Sequence, residues 1–171
     1  LEKKFYENLN EINFFPRELD LYELNANNHS EVISLLGEEL KNNTPIFIKC
    51  LNEIMDNKPN NSCYIASQQL GGKTKRLINN SSFFIHRNST WKPWIYASWK
   101  KNDLQEKKIV MDWMYNSWSK LKRFYPNIHL AQLHNHLNSH REELTLAFGN
   151  RINELKTLKN IFDPHSILPP L

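Results

Sequence analysis

Residues His129–Pro164 read HLAQLHNHLNSHREELTLAFGNRINELKTLKNIFDP. Leu130, Ala131, Leu133 and Leu137 fall close together, which predicts a strand over 129–137. Ser139-His140-Arg141-Glu142 has the form of a capping box, with the Ser139 hydroxyl on the N3 amide and Glu142 reaching back to the Ser139 amide. A helix is expected to follow as far as Phe148. Gly149 suits the left-handed C′ position that ends it, and Asn150 suits the N-cap of the next helix. In that second helix Ile152, Leu155, Leu158 and Phe162 recur every three or four residues, with Lys156 and Lys159 off the stripe. Asp163-Pro164 stops it, because a residue before proline is pushed out of the αR region. Asn135, His136 and Asn150 fall at element ends, where chemistry usually sits.

Working back from this stretch, Asp103-x-x-Glu106 predicts the start of a long helix to about Phe124, with Val110, Met114, Trp118, Leu121 and Tyr125 as its stripe. Trp113 and Trp118 are read as core. Ser81–Arg87 and Trp94–Lys100 are aromatic and β-branched, so they are expected as strands, joined as a hairpin through 88–93. Cys63–Leu70 reads as another strand, ended by Gly71-Gly72, where the backbone can turn sharply. Thr44-Pro45 predicts a helix start with Phe47, Cys50, Leu51 and Ile54 on one side. Ser30 is expected to cap a helix to about Lys41, with Ile33, Leu36 and Leu40 on one face. Leu1–Asn28 fits an extended arm or a strand, with Leu19, Leu21 and Leu24 as a candidate edge strand.

Hairpin-linked strands with segregated helices predict the α+β class: an antiparallel sheet with helices packed on one face. The chain's 171 residues suffice for one domain with a full core, and no internal repeat divides it. The net charge of +4 is mild. No interleaved basic and aromatic motif points to nucleic acid, and no apolar run reaches the length of a membrane span. Cys50 and Cys63 have neither metal-ligand spacing nor a disulfide framework. His134 and His136 share a strand face, with His129 and His140 nearby, but the cluster lacks a Cys or carboxylate in a zinc spacing, and no metal is expected. His86 fits a hydrogen-bonded structural histidine and a site residue equally.

The pieces Phe148-Gly149-Asn150, Leu155-Lys156-x-x-Lys159, Asp163-Pro164 and Ile167-Leu168-Pro169-Pro170 together resemble the C-terminal segment of the berberine bridge enzyme-like FAD oxidases, within the vanillyl-alcohol-oxidase group. Gly71-Gly72, Phe84-x-His86-Arg87 and Ala97-Ser98-Trp99 fall in that family's order upstream, so the resemblance is collinear from about Gln69 to Pro170. It implies a single substrate-binding domain over 1–171, with the berberine-bridge-type segment at about 129–171 and the FAD-binding domain absent from this chain. It implies a small-molecule substrate positioned over an FAD held mainly by a preceding domain, and an isolated fragment that is inactive.

The resemblance further implies flavin contacts at Asn135 and Asn150 and a catalytic base at His136, a residue type whose ordinary pKa lies near neutrality. Leu133 replaces the family's usual tyrosine. Leu70 replaces the usual aromatic before the glycines. Lys92 or Pro93 stands near a position where the family often has a carboxylate. These departures keep a second reading open, a detached or degenerate module that binds a ligand or partner without catalysis.

Overall fold

The computed structural model describes residues 27–76, 82–130, 134 and 136–171. Its centre is an antiparallel sheet of three strands: β1 (Asn28–Ser34), β2 (Tyr64–Gln69) and β3 (Trp91–Lys100), in the order β1-β3-β2. β3 is flanked on both sides, with Ile33 opposite Ile95 on one edge and Ile65 opposite Ile95 on the other. Side chains alternate across a strand. Ile33, Ile95, Ala97 and Trp99 therefore share one face, and all four are buried.

That face is covered by helices. The described helices are α1 (Thr44–Asp56), α2 (Lys73–Arg76), α3 (Leu104–Leu121), α4 (His140–Phe148) and α5 (Ile152–Phe162), and α3 makes the main contact with the sheet. Helix α3 lies on β3 and β1 and beside α1. Asp103 caps it by accepting from the Glu106 amide at 2.8 Å, which leaves one fewer orphan donor in the first turn. Its expected stripe is buried throughout, and so is Trp113. Trp113 donates its indole N–H to the Ile54 carbonyl at 3.1 Å, tying α3 to α1. Glu106 departs from the box pattern. Its carboxylate takes the Lys100 amide at 2.8 Å and the Asn60 side chain at 3.0 Å, fastening the end of β3 to the turn before β2.

The α+β reading with helices on one face holds, and several local expectations do not. Residues 30–34, expected to open a helix capped by Ser30, lie in β1. Ile33 and Leu35 alternate into the core, and pairing along β3 outweighs the short i, i+3 pattern. The expected hairpin of 81–87 with 94–100 is absent, because β1 and β2 already occupy both edges of β3. Ser82–Thr90 is irregular instead, and closes on Gly37 through the Thr90 amide at 2.8 Å. Of the expected strand 129–137, residues 131–133 and 135 lie outside the described residues, while 136–139 are turn. Asn127 bridges Leu36 beside β1. The arm at 1–26 lies outside the described residues.

The C-terminal stretch keeps its two helices with different fastenings. Ser139 has helical dihedrals and makes no capping bond. Its hydroxyl donates to Glu143 at 2.7 Å, and Glu142 pairs with Lys122. Gly149 has φ 52° and ends α4. Asn150 sits inside a 3₁₀ turn, Gly149–Arg151, and Arg151 rather than Asn150 is the N-cap of α5. Beyond α5, Asp163 accepts from the amides of Ile167 at 2.7 Å and Leu168 at 3.0 Å and pairs with Lys159. The Lys159 hydrogen bond, with those two amides, holds the Asp163 carboxyl below its ordinary value.

Candidate functional site

The most densely connected polar group lies between β1, α3 and α4. Glu31 leaves β1 opposite Ala97, on the helix-covered face. Its carboxylate takes the His136 Nε2–H at 2.6 Å on one oxygen, and the other oxygen lies 3.6 Å from His134 Nε2. The opposite ring nitrogen of His134 donates to Glu143 at 2.7 Å. His134 and Glu143 are both buried. Burial alone would push the His134 imidazole down. The hydrogen bond and charge of Glu143, joined by the charge of Glu31, hold it above its ordinary value instead. Burial pushes the Tyr115 phenol up, and the charges of Glu143 and Glu31 add to this. A histidine between two carboxylates thus joins β1 to α4 through ion pairs.

The sequence-predicted site residues are placed as follows. His136 has an exposed ring (54% of the side chain), anchored on Glu31. Asn150 is exposed at the far end of α4. The two are separated by the nine residues of that helix, roughly 13 Å at 1.5 Å per residue. Asn135 lies outside the described residues. His86 donates Nε2–H to the Leu146 carbonyl at 2.7 Å, and its burial pushes its pKa down. This is the hydrogen-bonded structural role. His134 and His136 each address a carboxylate, and among the described residues no group of three His, Cys, Asp or Glu side chains can hold a metal. Glu31, Glu143 and Tyr115 were not singled out by sequence reasoning. Their only sequence signal is two acidic residues in otherwise apolar or helical company.

The other face of the sheet is different. Lys92, Trp94 and Tyr96 of β3 project there, opposite Gln68, Ala66 and Tyr64 of β2. Tyr64 and Tyr96 stack with ring centroids 4.7 Å apart and planes 18° from parallel. None of the described helices that pack on the sheet lies on this side, so aromatic rings and one lysine form its floor. On the helix side, a crevice of about 450 Å³ between α1 and β2 is lined by Phe47, Leu51, Ile65, Trp91 and Tyr125. Its only charged groups are Glu39 and Lys41, so it offers no acid–base pair beyond them. A polar hollow of about 680 Å³ at the end of β3 includes Asn60 and Glu106. Both of these are already engaged with one another and with the backbone.

No protein-family profile and no curated protein matches the chain. Solved structures do match it. Berberine bridge enzyme from Eschscholzia californica superposes with a TM-score of 0.61 and 17% identity, over 84% of this chain and 32% of its own. Physcomitrella patens BBE-like 1 gives a TM-score of 0.65 and 18% identity, over 92% of this chain and 32% of its own. GilR, an oxidoreductase of the terminal step of gilvocarcin biosynthesis, solved with pregilvocarcin, gives 0.64 and 16%, over 81% and 31%. The chain thus spans about a third of the length of the proteins it resembles. Over that third, it has the fold of the substrate-binding domain of the berberine bridge enzyme-like oxidoreductases.

Proposed function

We propose that this chain is the C-terminal, substrate-positioning part of an FAD-dependent oxidoreductase. A preceding domain holds most of the cofactor, and the helix-free face of the sheet presents a small-molecule substrate to the flavin ring. The observation that carries this reading is the two-sided sheet, with α3 on one face and the stacked Tyr64 and Tyr96 on the other. Such an apolar floor with few polar groups is the usual make-up of a small-molecule site. The described residues fit the edge of a flat ring better than a diphosphate. Gly71 and Gly72 take positive φ (145° and 62°), and a Cβ at either would meet no protein atom within 4 Å among the described residues, so the turn needs glycine for its backbone rather than for packing. Bound FAD would supply the hydride-accepting chemistry.

In this reading Asn135 and Asn150 contact the flavin edge, and His136 is the base. With its Nε2–H given to Glu31, the lone pair of the neutral ring lies on Nδ1. Because Glu31 leaves the edge strand β1 on the helix-covered face, that nitrogen would take the substrate proton at the rim of the sheet beyond β1, not over the Lys92–Tyr96 floor. Replacing His136 by Ala in the intact enzyme should lower turnover by roughly 10²–10⁴-fold, the worth of a positioned general base. Flavin content should barely change, whereas Asn135→Ala should shift the flavin spectrum. Turnover within a few-fold of wild type would remove His136 from the mechanism. It would favour the second reading, a ligand-binding module without catalysis, to which the cationic Lys92 on the sheet floor also lends weight.

A further inference from the structure

Lys92 stands out on the face that carries no helix among the described residues. It is half-buried, directly across from Gln68 and next but one to Trp94 on β3. Among the described residues the ion pairs belong to other cations: Lys122, His134, His136, Arg151 and Lys159. Desolvation is the one cause that moves the Lys92 ammonium, downward. The His129 imidazole lies close enough for the Lys92 charge to lower its own proton affinity, on top of burial. Among the described residues, the one charge that shifts this imidazole is thus a positive one. A cation that gives up hydration without a carboxylate in return raises the energy of the empty face, and an anion placed there would lower it.

The neighbours of Lys92 state the rest of the ligand. The stacked Tyr64 and Tyr96, with Trp94, make a flat apolar floor that favours a ring laid on it. Gln68 offers an amide donor beside the ammonium, matching the two oxygens of a carboxylate. Resting on the proposed function for its identification of the substrate face, we propose that this face binds a planar aromatic molecule bearing a carboxylate. The carboxylate sits on Lys92 and Gln68, and the ring lies on Trp94, Tyr96 and Tyr64.

The test is an amide-resolved NMR titration of the chain with 1-naphthoate and, separately, with its neutral counterpart 1-naphthamide. Naphthoate should shift the amides of Gln68, Lys92 and Trp94 saturably and bind roughly tenfold more tightly than naphthamide, the worth of one charge-assisted contact. Lys92→Gln should erase that preference, Lys92→Arg should keep most of it, and added salt should weaken naphthoate alone. Equal binding of the two probes at this face would overturn the carboxylate assignment while leaving the face a ligand site. An unchanged preference in Lys92→Gln would overturn the role of Lys92. If neither probe moves these amides, the face is not a ligand floor, and the proposed substrate-positioning role falls with it.

Discussion

Helices α3 and α5 carry apolar stripes of the same period, and the fold treats them oppositely. Helix α3 buries Val110, Met111, Trp113, Met114, Trp118 and Leu121 against the sheet and α1. Helix α5 buries none of its residues, and Ile161 and Phe162 are 62% and 81% exposed. Apart from Leu144 and Ala147 of α4, which are buried, the fastenings of the C-terminal stretch are polar: the Glu143 pair at α4, the Arg151 contacts with Glu154 and the Ser82 carbonyl, and Asp163 on the tail amides. Periodicity in a sequence reports a face fit for burial. It does not report which surface buries it.

The contrast can be broken most sharply at Glu143. Its replacement by Ala leaves His134 charged and buried without its nearest partner. Folding stability should fall by roughly 3–5 kcal/mol, the cost of breaking a buried pair, as read by urea unfolding of the chain. Such a loss from a residue of α4 would show that the C-terminal stretch is stabilised through ion pairs. A change below about 1 kcal/mol, the range of exposed pairs, would show that it is not.

The same pair carries a pH dependence of determined sign. The His134 pKa is raised in the folded chain. Its contribution is therefore complete below about pH 6.5, the ordinary histidine value, and is lost as pH rises through the folded value. Melting temperatures should thus fall on the alkaline side, with a gentler slope in Glu143→Ala. A slope of the same size in that variant would assign the effect elsewhere.

A pair of truncations then compares the two helices directly. Met114→Ala, at a position with no exposed surface, should cost roughly 2–5 kcal/mol, through lost burial plus the cavity left behind. Phe162→Ala should stay within about 0.5 kcal/mol, as exposed positions do. Equal losses would mean that α5 is packed as firmly as α3.

Legibility in the sequence followed the same division. Helix α3 was readable end to end, because Asp103 caps it and its stripe runs over several turns. β1 was not. Ile33, Leu36 and Leu40 mimic a short helical face, and pairing with a strand some 65 residues away decides the matter. The hairpin expected from 81–87 failed for the same kind of reason, since sequence neighbours lose to partners brought in by topology. At the candidate site, His136, whose role as base is a proposal, was legible through its place after Asn135 in a resembling motif. Its partner Glu31 was not, being 105 residues away in sequence. Ser139 and Glu142 spell a capping box, yet Glu143 and Lys122 supply stronger charged partners. Asn150 spells a cap, yet a 3₁₀ turn moves the start of α5 past it.

The central claim is that this fold sits against a flavin held largely by another part of the same polypeptide. The most direct measurement is the visible absorption spectrum of the intact polypeptide as purified, taken beside that of this chain alone with FAD added and removed by gel filtration. The account predicts flavin absorption on the intact polypeptide and none retained by the isolated chain. An intact polypeptide that stays colourless even after incubation with FAD would contradict it.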